Sequence, residues 1–331
     1  MASYIARRKF LATLLGGAVA WTLTTAHAQV LRKRPLLAWL SGTTQEGTVL
    51  YIDAFLRGMQ DLGYVEGRNF DMVYRFSDGY QDRLPALAEE IIRLKPSVIM
   101  GAAIGAVAAR KATSTIPIVS GALADAVQLG LIANEARPGG NVTGIEPYVA
   151  GLPAKQMEFA REIVPGANSV GLLTNVKDPK APPQVEELEA AGRSLGVKII
   201  AVDASRPADL DGALQALARQ RVDVVVVLQT SMLIGEARQI AVSALAKRLP
   251  TVYGYREHVI AGGLISYGVD LRWCFYRTAS FVDKILHDIP PGDLPVEFPT
   301  NMVLAINLKT AKALGLDVPA TLLARATEVI E

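Results

Sequence analysis

The sequence predicts an α/β protein made of two open, doubly wound parallel-sheet domains joined by three crossings. Three observations lead there. From residue 35 onward short apolar runs alternate with longer amphipathic segments, the pattern of strands joined by helices in a parallel sheet. That alternation breaks near residues 146–154 and then restarts. Finally, residues 264–306 hold two extended runs flanking one helix, which allows two further crossings. A length of 331 residues and a hydrophobic content of 50% suit a large core and two domains, and they exclude disorder. A single cysteine excludes a disulfide scaffold.

In the first series, Leu36-Leu37-Ala38-Trp39-Leu40 is the opening strand and Ser41-Gly42-Thr43-Thr44 the loop at its carboxyl end. A helix over 50–62 places Tyr51, Ala54, Phe55 and Met59 on one face, and Gly63 stops it. A strand over 70–76 and a helix over 84–94 follow. The buried strand Val98-Ile99-Met100 runs into a glycine-flanked turn, Gly101 to Gly105, and Ile116-Pro117-Ile118-Val119 is a fourth strand. A helix over 129–136 and an extended run over 141–147 close the series. The second series reads strand 169–175, helix 185–195, strand 197–202, helix 210–219, strand 222–228, helix 234–247 and strand 252–253. The tail offers extended runs at 264–267 and 302–306 around a helix over 273–286. The domain boundaries expected are 1–28 for an export signal, 29–147 plus 264–298 for the N-terminal lobe, and 148–263 plus 299–331 for the C-terminal lobe. No close repeat recurs at a fixed period.

The first 28 residues read as an address. Arg7-Arg8-Lys9 precede the apolar run from Phe10 to Trp21, and Ala26-His27-Ala28 is an A-x-A cleavage pattern, with cleavage expected before Gln29. The paired arginines followed by Phe10-Leu11 resemble a twin-arginine signal; a general secretory peptide is the alternative. The run is too short for the ~20 residues of a membrane span. No cysteine stands near the cleavage site to take a lipid, so a mature protein free in the periplasm is expected. Residues 1–28 carry three basic residues and no acidic one, which leaves 31 basic against 32 acidic and turns the formal charge from +2 to −1. A nearly neutral body argues against electrostatic capture of nucleic acid.

Reactive chemistry finds little support. Only His258 and His287 survive in the mature chain, and no G-x-S-x-G elbow accompanies a serine. His287, beside Asp288 at a helix end, fits a surface role, while His258 follows a strand end from which it can reach a cleft. Two distant histidines and one cysteine make no metal cluster, so no metal and no cofactor are expected. Cys274, among Trp273, Phe275 and Tyr276, fits burial as a small apolar residue. The turn from Gly101 to Gly105 lacks the G-x-G-x-x-G spacing of a dinucleotide loop; it can seat a small anion or simply serve a tight turn. Asn141-Val142-Thr143 matches a glycosylation sequon, a motif common by chance.

Several stretches resemble the ABC-transporter substrate-binding protein family often described as tryptophan/tyrosine-type. They are Gly58 to Asn69 (GMQDLGYVEGRN), Asp82 to Ala88 (DRLPALA), Ala136 to Gly144 (ARPGGNVTG), Gly262 to Gly268 (GGLISYG), Val282 to Leu286 (VDKIL) and Ile306 to Ala311 (INLKTA). The resemblance covers nearly all of the mature chain. It implies a type I periplasmic-binding-protein fold that captures a small-molecule solute and delivers it to an ABC permease with its cytoplasmic ATPase. The partners it implies are that solute and that permease, with peripheral docking to membrane protein only and no nucleic acid, the protein itself being a monomer. The chain departs from the family's usual form at Gly101 to Gly105 and at Gly121 to Val127, two loops expected to face the cleft.

Ligands of open parallel sheets gather at the carboxyl ends of strands, and two such sheets form a cleft that can close. The candidate ligand-binding residues are therefore Ser41, Gly42, Thr43, Ala102, Ala103, Ile104, Gly121 and Asp125 in the first domain. In the second they are Asn175, Gln229 and Tyr255, with Glu146 and Tyr267 near crossings. Loop amides and the Ser41 and Thr43 hydroxyls can accept a carboxylate; Asp125 or Glu146 can pair with an ammonium; Asn175 and Gln229 can orient polar groups; Tyr255 or Tyr267 can stack on a flat part. Ser41 and Thr43 can equally cap the next helix, and Glu146 can hold the hinge. The function expected is capture of a small carboxylate-bearing molecule, an amino acid or aromatic acid. A secreted α/β enzyme acting in the same cleft and a ligand-sensing partner of a membrane receptor are the alternatives.

Overall fold

A computed structural model describes residues 34–147 and 151–331. The expected export signal and the expected lobe boundary at residue 148 lie outside the described residues. The first sheet is all parallel, in the order β2-β1-β3-β4-β5. Its strands are β1 (Leu36–Ser41), β2 (Asp71–Phe76), β3 (Val98–Ala102), β4 (Ile118–Ala122) and β5 (Val142–Gly144). Helix α1 (Gln45–Asp61) covers one face, and α2 (Leu84–Arg93) with α3 (Ala103–Ala112) the other. The chain moves from β1 outward to β2, then back across β1 to β3. This reversal creates a crevice at the carboxyl ends of β1 and β3.

The second sheet repeats the plan. It contains β6 (Ser169–Thr174), β7 (Lys198–Asp203), β8 (Val224–Val227), β9 (Thr251–Tyr253), β10 (Ile265–Val269), β11 (Met302–Asn307) and β12 (Glu328–Ile330). Their order is β12-β11-β10-β9-β8-β6-β7, with β10 and β11 antiparallel and the other pairs parallel. Here the reversal falls between β6 and β8. The helices in chain order are α4 (Leu152–Ile163), α5 (Ala181–Leu195), α6 (Leu210–Arg219), α7 (Ser231–Gly235), α8 (Ala237–Ala246) and α9 (Arg256–Ile260). α10 (Leu271–Leu286) returns to the first lobe to pack on α1 and β4, while α11 (Leu308–Leu314) and α12 (Ala320–Leu323) complete the second. Leu172, Leu173, Val225 and Val226 are among the fully buried residues of the second core. Runs of that kind suit strands covered on both faces.

Four expectations need correction. The segment 264–269 was expected in the N-terminal lobe, but β10 pairs with β9 and β11 in the second sheet, so the crossing falls at Asp270, which caps α10. Residues 291–298 do return to the first sheet, where Glu297 donates to the Gly144 carbonyl and accepts from Glu146 N. The helix expected over 129–136 is a set of turns, because Gly130 takes a left-handed φ of +64° while Leu131 and Ile132 anchor the segment to the core. The single helix expected over 234–247 is α7 and α8 with a break at Glu236. The turn expected over 101–105 is strand end and first helical turn, and a Cβ at Gly101 or Gly105 would run into the Leu40 carbonyl. Those glycines serve close packing of α3 on β1.

Candidate functional site

Both chain reversals face each other across the lobes, and a small pocket lies between them. From the first lobe Ser41, Gly42 and Thr43 reach it from the end of β1, and Ala102 from the end of β3. Thr44 Oγ1 accepts from Gly47 N at 3.1 Å, which starts α1 at Gln45, a turn before its apolar face begins. Ser41 Oγ shares a hydrogen bond with Thr48 Oγ1 at 2.9 Å and accepts from Thr43 N at 3.2 Å. Thr43 Oγ1 is buried with no hydrogen-bond partner. The capping role expected as an alternative for Thr43 belongs to Thr44.

From the second lobe come Lys180, just before α5, and Ser231, the first residue of α7. Asp178 ties them together: its Oδ1 accepts from Lys180 N at 3.0 Å and its Oδ2 from Ser231 N at 2.8 Å. Ser231 Oγ is buried without a partner. The Lys180 side chain is 4% exposed, and among the described residues no carboxylate lies within ion-pair distance of its ammonium. Burial pulls its pKa down, opposed by the charges of Asp178 and Glu146. The walls are apolar: Trp39, Tyr51, Ile234, Leu271 and Phe275. The Phe275 ring stands 5.3 Å from Trp39 and 5.2 Å from Tyr51, centroid to centroid, and Trp39 Nε1 is buried with no acceptor. Its volume is about 40 Å³, room for a few waters and not for an amino-acid-sized solute.

A larger, open groove of about 640 Å³ adjoins it, sharing Gly47, Tyr51 and Ile234. It runs between α1 and α7–α9 on helix flanks. Glu46 of the first lobe and Glu236 of the second both line it. The Glu236 carboxyl is raised by burial and then by the charge of Glu46. The strand ends of both lobes and the unpartnered polar atoms meet at the smaller pocket.

Of the residues expected from sequence, Ser41, Gly42, Thr43 and Ala102 line this pocket, and the others lie outside it. Ala103 and Ile104 are buried in α3, with Ile104 Cγ2 against Gly42. Gly121 makes room for the Phe275 ring. Asp125 and Ala126 donate their amides to Glu146, whose carboxylate thus fastens the 125–126 loop, and burial raises its pKa. Asn175 Oδ1 accepts from Lys177 N at 3.2 Å, and Gln229 is held through its main chain by Gln184. Tyr255 is buried within the first-lobe core cluster, while Tyr267 packs its ring 4.8 Å from that of Phe159. Trp39, Lys180 and Ser231 were not anticipated. Lys180 had a signal, since Pro182-Pro183 mark a helix start at the end of β6.

The histidine and cysteine are structural. His258 stacks on Tyr253 at 4.5 Å, its Nε2 lies 3.1 Å from the Leu233 carbonyl, and burial pulls its pKa down to about 4. Cys274 is buried, and its thiol is pushed up to about 12. Asn141 donates to the carbonyls of Thr113 and Ile116, so the sequon asparagine is occupied. No described helix is long and apolar enough to cross a membrane.

Residues 43–330 match the profile of a family described as ABC transporter substrate binding protein. A "Tyrosine-binding protein" from Clostridioides difficile (strain R20291) is 24% identical over 263 residues, covering 79% of this chain and 75% of that one. A conserved domain protein from Vibrio cholerae superposes with a TM-score of 0.84 at 29% identity, covering 90% of this chain and all of that one. An ABC domain in complex with L-Trp from Streptococcus pneumoniae gives 0.82 at 21% identity with the same coverage. With two doubly wound lobes and a family match spanning nearly the whole described chain, the protein belongs to the ABC transporter substrate-binding protein family.

Proposed function

We propose that this protein is the periplasmic solute-binding component of an ABC uptake system and closes its two lobes around a small carboxylate-bearing molecule. The observation that carries this is Lys180: a buried ammonium without an ion pair lines the pocket with the unpartnered Thr43 and Ser231 hydroxyls and Trp39 N–H. Donors converging on one apolar-walled pocket suit an anionic head and a flat or apolar body. The tyrosine named for one relative and the tryptophan bound by another both carry a carboxylate, which supports the same class. We assign no enzymatic role, since His258 and Cys274 are committed to the core.

In this proposal the chain leaves the cytoplasm on the signal at residues 1–28, acts as a monomer, and docks on its permease from the periplasm. Calorimetric screening of protein refolded free of carried-over solute, against amino acids, aromatic acids, vitamins and sugars, tests the solute class. Saturable binding of a carboxylate, weakened at least tenfold by Lys180→Met, is expected. Binding confined to neutral solutes overturns it.

A further inference from the structure

We infer that the solute is an apolar or aromatic carboxylic acid without an α-ammonium group, a desamino acid rather than an amino acid. This rests on the proposed carboxylate reading of the pocket and narrows it. An amino acid brings two charges about 2.5 Å apart, so its site needs a cation or donors for one and an acceptor of negative charge for the other. The first requirement is met by Lys180 with Thr43, Ser231 and Trp39, each more than nine-tenths buried and lining the pocket. The second is not. Among the described residues lining the pocket there is no aspartate and no glutamate.

Asp178 and Glu146, the acids whose charges act on Lys180, are already engaged, while Glu257, whose charge acts on Tyr51, accepts from Arg272 Nε at 3.1 Å through one oxygen, keeps the other unpartnered, and lines the open groove instead of this pocket. Asp178 spends one oxygen on Lys180 N and the other on Ser231 N. Glu146 accepts from the amides of Asp125 and Ala126. Neither lines the pocket. An α-ammonium would therefore enter beside the Lys180 ammonium, like charge against like charge in a poorly hydrated space. The rest of the wall supplies no negative charge: Trp39, Tyr51, Leu271 and Phe275 offer ring and alkyl surface, which suits the body of an aryl or branched acid.

Matched pairs differing only in the amino group test this on the exported chain, refolded to strip bound solute. The probes are 3-phenylpropionate against L-phenylalanine, 3-(4-hydroxyphenyl)propionate against L-tyrosine, and 3-(indol-3-yl)propionate against L-tryptophan, titrated by calorimetry. The desamino member of at least one pair is expected to bind about a hundredfold more tightly than its amino acid. Lys180→Met should weaken that binding at least tenfold, with Lys180→Arg restoring part of it. Trp39→Phe, which keeps a ring and removes the N–H, should weaken it several-fold; thermal melts of each variant verify folding. An amino acid that binds as tightly as its partner overturns the inference, and if Lys180→Met still weakens it the carboxylate reading survives. No binding by either member of any pair removes both.

Discussion

Two glycines set the seam along which the lobes close, and Gly47→Ala is the sharpest probe of it. Gly47 lies in the first turn of α1 and Gly235 ends α7 in the opposite lobe. A Cβ built on Gly47 stands 2.7 Å from Gly235 Cα and 3.0 Å from its carbonyl oxygen. Ordinary carbon–carbon contact begins near 3.5 Å, so the seam must open by about 1 Å. The obstacle is backbone, and no rotamer change relieves it. Gly235→Ala meets Thr43 instead: its Cβ falls on Oγ1 and 2.7 Å from the Thr43 Cβ. Overpacking of this kind costs about 1–3 kcal/mol, and here it falls on the closed form alone, equivalent to roughly a 5- to 150-fold loss of affinity. Neither glycine has a positive φ, so alanine suits the helix and favours it by up to about 1 kcal/mol, although at Gly47 the new Cβ also stands 3.0 Å from Thr43 Oγ1 of its own lobe, a side chain that can turn aside. The expected phenotype is an unchanged or raised Tm with weakened calorimetric affinity, and a solute-bound form that small-angle scattering finds more open than wild type. Unchanged affinity in both variants refutes the reasoning. So does a Tm lowered by many degrees, which would make the seam part of folding instead of closure.

Two pH effects follow from buried groups. His258 is held down to about 4, against about 6.5 for a free imidazole, so the unfolded chain takes up a proton first as pH falls. The stability it protects is complete above about pH 6.5 and is lost progressively toward pH 4, by roughly 3 kcal/mol in all. Urea melts of wild type should show that slope and His258→Phe should lack it; equal slopes in both proteins would dismiss the assignment. Across the open groove, burial and then the charge of Glu46 raise the Glu236 carboxyl, so the closed form holds its proton more tightly and closure weakens as pH rises through that raised value. Glu46→Gln should tighten solute binding about 2- to 5-fold at pH 7.5, the scale of an exposed charge pair, with a smaller gain at pH 5.5. A loss of affinity at pH 7.5 would count against like-charge repulsion at the mouth.

The alternation of apolar runs and amphipathic segments made both sheets legible, because strands such as 224–227 and helices such as 210–219 bury what their period says they bury. The crossings were harder. Nothing in Ile265-Ser266-Tyr267 distinguishes a strand of one sheet from a strand of the other, since partner choice is decided by hydrogen bonds from β9 and β11. Ser41, Gly42, Thr43 and Ala102 could be located as strand-end residues. Trp39 could not, because a tryptophan inside an apolar strand looks like core, and only its unpartnered N–H facing the pocket separates the two roles. Lys180 and Ser231 were hidden by early helix starts: α5 begins at Ala181 and α7 at Ser231, several residues before the apolar periodicity that announced them. Glu146 stands outside the pocket for the opposite reason, its carboxylate being committed to nearby amides, and Asn175 gives its Oδ1 to the Lys177 amide while its buried Nδ2 has no partner.

Under the proposed function, closure and recognition are coupled through the same charges. Lys180 belongs to the second lobe and Glu146 to the end of the first, and each acts on the other electrostatically across the lobes. Removing an ammonium from water is unfavourable, and burial is the largest influence on Lys180 even with Asp178 and Glu146 near it. A carboxylate brought into the pocket adds a third negative group and supplies an acceptor for the Thr43, Ser231 and Trp39 donors. The cost of burying the lysine then falls as the solute binds. The closed form is thereby favoured most by the solute that carries the right charge, so the anion-binding group itself biases the hinge. A neutral molecule of the same shape would fill the apolar walls and leave that bias unmade.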